Sequence, residues 1–99
     1  MTAYAALIHK DPDSDYGVSF PDLPGCVTAG STLDEAIAMA KEVLALHLEG
    51  LLENQHDIPS PTPADHVDRN DAFLIATIEA PDSLTQRWAS AQPNHKQRA

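Results

Sequence analysis

The chain has 99 residues, with fifteen acidic against six basic and a formal net charge of −9. That length suits a single domain whose modest core needs neither disulfides nor a metal. One cysteine, Cys26, excludes an intrachain disulfide and fits a reducing compartment. No apolar run approaches the roughly 20 residues of a membrane span, and Met1-Thr2-Ala3-Tyr4 shows no basic region ahead of an apolar one. The expectation is a soluble, cytoplasmic protein that does not associate with membranes.

The charge is unevenly placed. Residues 1–60 hold ten acids and two bases, a net of −8, whereas from Ser83 onward there are three bases (Arg87, Lys96, Arg98) and no acid. An acidic body repels nucleic acid, whose readers need a basic patch. It suits a basic protein partner, chiefly by steering encounter and rejecting wrong partners.

In chain order, Thr2 to His9 is apolar on both faces, with Tyr4, Ala6 and Ile8 alternating against Ala5 and Leu7, as in a strand buried on two sides. Lys10 to Ser14 and Asp15 have turn composition. Asp11, Asp13 and Asp15 have the spacing that opens a calcium loop, but Tyr16 stands where the loop glycine is required. A solvated acidic turn is the reading. Tyr16, Val18 and Phe20 then alternate with Gly17 and Ser19, a second strand joined to the first as a hairpin.

Pro21-Asp22-Leu23-Pro24-Gly25 makes a rigid corner, since two prolines fix φ and lack donors while Gly25 can take angles other residues resist. A third strand runs from Gly25 to Gly30. Thr32, followed three residues later by Glu35, has the form of a capping box. From Leu33 the apolar positions Ala36, Ile37, Ala40, Val43, Leu44, Leu48, Leu51 and Leu52 are spaced for one buried helix face. Gly50 weakens that helix, Asn54 to Asp57 ends it, and Pro59, Pro61 and Pro63 prevent its resumption. His47 lies at the edge of the apolar stripe, and no histidine has metal-ligand spacing. Ala72 to Ala80 is the last clear strand, expected beside the first and parallel to it.

The predicted fold class is α+β, β-β-β-α-β, a small sheet on one helix over residues 1–80. Residues 81–99 are expected to form a short helical tail, with Leu84, Trp88 and Ala91 on one stripe and Pro93 ending it. Cys26 has no sequence-local base, and a buried strand thiol is inert. Along the strands no carboxylates converge for metal-dependent hydrolysis, Glu79 lying only near an end. No catalytic residue, metal or cofactor is expected.

One ordered set of features goes beyond folding rules. It comprises an opening strand at Tyr4 to Ile8, a tyrosine-led run to FPDLPGC at Tyr16 to Cys26, T-x-x-EA at Thr32 to Ala36, and the leucine-rich Leu44 to Leu52, closing on Ile58-Pro59. This set resembles the HicB-like antitoxins over about the first sixty residues, and more loosely over Asp71 to Ile78. The resemblance implies a partial RNase H-like sheet domain. It also implies a homo-oligomer, dimer or tetramer, that neutralises a small basic HicA-like toxin, an mRNA interferase, by covering its active or RNA-binding surface. The residues singled out for that contact are Pro21, Asp22, Leu23, Pro24 and Gly25 at the corner and the acids Asp11, Asp13 and Asp15. Many longer HicB-like proteins carry a ribbon-helix-helix DNA reader after the sheet. Here six residues follow Pro93, so DNA binding is doubtful for this chain. The alternatives are a stand-alone adaptor without a toxin and a degenerate RNase H-like nuclease.

Overall fold

The structure is a computed structural model that describes residues 2–69, 71–81, 83 and 84. Four strands and one long helix organise it: β1 (Ala3–Lys10), β2 (Tyr16–Ser19), β3 (Val27–Gly30), α1 (Leu33–Glu53) and β4 (Leu74–Glu79), with a short 3-10 turn at Ala64–His66. The strands form a single sheet in the order β3-β2-β1-β4, antiparallel throughout. The α+β class and the β-β-β-α-β order are as the residue patterns predict.

Both faces of β1 are buried, Tyr4, Ala6 and Ile8 on one and Ala5 and Leu7 on the other. The first face meets Val18, Phe20 and Ile78 on the neighbouring strands and Ala36, Ala40, Leu44 and Leu48 of α1, which together with Leu23, Cys26 and Ile58 make the core. The four buried helix positions recur every fourth residue, so they line one stripe of α1. Fully burying each large side chain here contributes about 1.5–3 kcal/mol relative to leaving it exposed.

The direction of β4 departs from expectation. It pairs with β1 antiparallel, Ala3 opposite Glu79 and Ile8 opposite Leu74, not in parallel. Helix α1 runs back along the sheet from the Gly30 end, and a chain returning directly from Glu53 would enter β4 running parallel to β1. The connection from Asn54 to Phe73 is long enough to travel the length of the sheet first. The last strand therefore enters from the opposite end. The expected helix after Pro81 lies outside the described residues, apart from Leu84, which is buried against the core.

Candidate functional site

The corner is two consecutive proline-led turns. Leu23 N–H donates to the Phe20 carbonyl at 3.0 Å, and Cys26 N–H donates to the Leu23 carbonyl at 2.9 Å. In the second turn Pro24 and Gly25 are the central residues, and Gly25 has φ +88°. A proline followed by a residue with positive φ defines a type II turn, which explains why glycine stands there. Phe20 N–H then donates to the Cys26 carbonyl at 3.2 Å, closing the corner onto the β2–β3 ladder.

The corner's side chains divide sharply. Pro21, Pro24 and Gly25 are exposed, whereas Leu23 is 1% exposed and sits in the core. The Asp22 carboxylate is taken up within the chain. One oxygen accepts from Thr62 N–H at 2.7 Å, and the other accepts from the Thr62 hydroxyl at 2.6 Å. A second tie lies nearby, where the buried Tyr4 hydroxyl donates to the Pro59 carbonyl at 2.6 Å. Together they strap the proline-rich segment onto the sheet. Burial holds the Tyr4 hydroxyl above its ordinary pKa, and the negative charge of Asp22 adds to this.

Asp11, Asp13 and Asp15 occupy the β1–β2 turn and are exposed. Ser14 organises that turn: its N–H donates to the Asp11 carbonyl at 3.2 Å, and Asp11 N–H donates to the Ser14 hydroxyl at 2.9 Å. Lys10 spends its ammonium on the Asp11 carbonyl at 2.6 Å, with the charge also 5.5 Å from the centre of the Tyr16 ring. Tyr16 in turn meets Phe73 edge to face at 6.1 Å.

This turn and the corner lie at opposite ends of the sheet, because β2 separates them. Six residues from Asp15 to Pro21 span roughly 20 Å at strand rise. The expected contact residues therefore form two surfaces, not one. Lys10, Tyr16 and Gly30 lie in a row across the sheet, and α1 starts just beyond Gly30. Asp34 and Glu35, in the first turn of the helix, consequently join the acids of the β1–β2 turn at one end. Sequence reading placed Glu35 only as a member of the helix cap. That both acids belong to the acidic end follows only from strand pairing.

Glu35 accepts from Ser31 N–H at 2.6 Å and from the Ser31 hydroxyl at 2.9 Å, which holds its carboxyl below the usual range. Thr32 caps the helix as expected, its hydroxyl accepting from Glu35 N–H at 3.0 Å. The return bond reaches one residue further back than a regular capping box, to Ser31 instead of Thr32.

Cys26 is buried, its thiol donating to the Val43 carbonyl at 3.8 Å, and burial pushes its pKa up to about 11. A thiol so protonated is a poor nucleophile at neutral pH. Among the described residues no three His, Cys, Asp or Glu side chains stand close enough to hold a metal ion, and no helix is long and apolar enough to cross a membrane.

An antiparallel four-stranded sheet on one helix, with an acidic end and a strapped proline corner, defines a small α+β module. Residues 4–83 match the family model described as the HicB-like antitoxin of bacterial toxin–antitoxin systems, and the chain belongs to that family. An uncharacterised 14.9 kDa protein of Haemophilus phage HP1 is 47% identical over 60 residues, covering 61% of this chain and 44% of that protein. Antitoxin HicB of Escherichia coli K12 is 34% identical over 84 residues, 85% of this chain and 56% of the relative. The chain thus spans about half the length of these curated relatives. Among solved structures, the N-terminal domain of Burkholderia pseudomallei antitoxin HicB superposes with a TM-score of 0.68 at 26% identity, covering 81% of this chain and 99% of that one. A chain of a HicA3 and HicB3 toxin–antitoxin complex gives 0.65 at 27% identity, with the same coverage.

Proposed function

We propose that this chain is an antitoxin that binds a small, basic HicA-type mRNA interferase and neutralises it by occluding its active or RNA-binding surface. The family match over residues 4–83 carries this reading. The HicA3–HicB3 complex among the structural relatives supports a toxin partner. The chemistry agrees with it: the acids gathered at the helix-start end would draw in a basic protein. The protein acts in the cytoplasm without catalysis of its own, as a homo-oligomer. Its net charge of −9 disfavours tight sequence-specific DNA binding by the chain alone.

The test is co-expression with any small basic reading frame found beside its gene, followed by pull-down and a growth assay. Retention of the basic protein, with relief of the growth arrest it causes, is the expected result. Failure to retain any small basic protein encoded there, with no relief of arrest, overturns the reading.

A further inference from the structure

The edge of the sheet at β3 has hydrogen-bonding capacity that the fold does not use. Phe20 N–H donates to the Cys26 carbonyl in the same register that pairs Val18 with Thr28 and Tyr16 with Gly30. Successive residues of a strand direct their main-chain groups to alternate sides. Thr28 and Gly30 therefore address β2, while Val27 and Ala29 direct N–H and C=O away from the sheet. Among the described residues nothing pairs with those outward groups. Val27 is 59% exposed and Ala29 is exposed as well. Within the strand, Val-Thr-Ala-Gly, there is neither the charge nor the proline by which sheet edges are usually blunted.

Helix α1 stands beside this edge and is acidic where its surface turns outward. Two contacts fix its placement: Ala36 Cα lies 2.8 Å from where a Cβ on Gly30 would stand, and the Val43 carbonyl accepts from Cys26. One turn beyond Val43 is Leu46, which is 60% exposed. Glu42 stands four residues before Leu46 and Glu49 three after it, so both border it on the helix surface. Glu35 and Glu53 continue the row toward the two helix ends, and all four acids are exposed. Glu35 is taken up by Ser31, but among the described residues no partner holds the carboxylate of Glu42, Glu49 or Glu53.

We propose that β3 accepts an extended, lysine- or arginine-bearing strand of the basic partner protein, which joins the sheet at this edge and sets its cations among the acids of α1. Edge and helix select the same occupant for different reasons. The outward donors and acceptors of Val27 and Ala29 fit any extended backbone and give affinity without choosing a sequence. Choice is made on the side of the added strand that faces the helix. There a long basic side chain lays its apolar stem along Val43 and Leu46 and carries its charge to Glu42 and Glu49. An acidic strand meets repulsion at the same place, from a chain already at −9. The inference rests on the reading of the chain as a binder of a basic protein, and names the surface on which that protein docks. The acids of the β1–β2 turn steer the encounter, whereas this edge holds the partner once docked.

Amide NMR of the isotope-labelled full chain, titrated with a short capped peptide of alternating lysine and valine at about 0.15 M salt, tests it. The expected result is that the Val27 and Ala29 amides shift and exchange more slowly, with Leu46 shifting alongside. The same peptide with glutamate in place of lysine leaves them unmoved. Val27→Pro removes an outward donor but no β2–β3 bond, so circular dichroism stays the same while the lysine peptide binds about tenfold more weakly. Glu42→Lys combined with Glu49→Lys abolishes the preference for lysine over glutamate. Shifts absent from β3, equal binding of the two peptides, or wild-type affinity in Val27→Pro overturns the proposal. Shifts of Val27 and Ala29 that follow protein concentration without peptide place a second copy at the edge and overturn it too. Capture of the basic protein by wild type and Val27→Pro is measured in parallel. Equal capture by both counts against this edge alone, and capture by neither, with peptide binding intact, counts against the antitoxin reading alone.

Discussion

Gly30 is where sheet and helix come closest. A Cβ there would stand 2.8 Å from both Ala36 Cα and the Glu35 carbonyl carbon, main-chain atoms of the first helical turn that cannot swing aside. Gly30→Ala is expected to cost at least the 1–3 kcal/mol, approximately, of an overpacked core site. A urea midpoint equal to that of the wild type would show that the helix start can shift. Cys26 yields a prediction in pH. In the unfolded chain the thiol ionises near 9.0, whereas burial in the fold raises its value to about 11. Its contribution to stability is therefore full below pH 9 and is lost as pH rises through about 11. Cys26→Ala should flatten that part of the alkaline limb, leaving the fall that Tyr4, also raised by burial, produces. Identical limbs in pH-dependent melts would count against a buried thiol. Asp22 was harder to read. Its composition marks a turn acid, but its partner Thr62 lies forty residues further on, and nothing local announces the bond.

At the scale of elements, both ends of α1 are built by residues near them in sequence, so the helix limits could be read directly. Thr32→Ala removes the N-cap and should cost about 0.5–2 kcal/mol in a thermal melt. Glu35→Gln separates the second half of the cap. Its carboxyl is held low in the fold, so its contribution is present above the ordinary 4.5 and lost as pH falls through the lowered value. The variant should lose less stability than the wild type across that acid range. At the other end, His56 N–H donates to the Leu51 carbonyl at 2.8 Å and Gln55 N–H to that of Leu52 at 3.1 Å, a Schellman motif. Gln55 holds φ +60° in the position where glycine is favoured. Gln55→Gly is expected to stabilise the domain by about 0.5–1 kcal/mol, and a lowered melting temperature would refute that. The strands were readable from period-two alternation and Gly/Pro punctuation. The direction of β4 was not, because it depends on the path of the long connection, and composition marks that segment as non-helical without saying where it goes.

For the whole molecule, strand pairing brings together acids that are far apart in sequence. The β1–β2 turn and the helix start share one end, and the strapped corner holds the other. If the proposed basic toxin is the partner, replacing Asp11, Asp13 and Asp15 together by Asn should slow association with it and flatten its salt dependence, leaving dissociation little changed. Stopped-flow association rates at several salt concentrations measure this, and an unaltered salt slope would remove these acids from the encounter. The same topology has a consequence in time. The central strand β1 comes first in the chain, yet its partner β4 comes last, with Ala3 opposite Glu79. The β1–β2–β3 hairpins and α1 can assemble from near neighbours, but the β1–β4 ladder must close a loop of most of the domain, and pairings that distant form late. Until β4 arrives, the strand destined for the centre is itself an edge, with one row of main-chain hydrogen-bonding groups open. A nascent chain is thus most prone to mispairing with other chains just before its last strand docks.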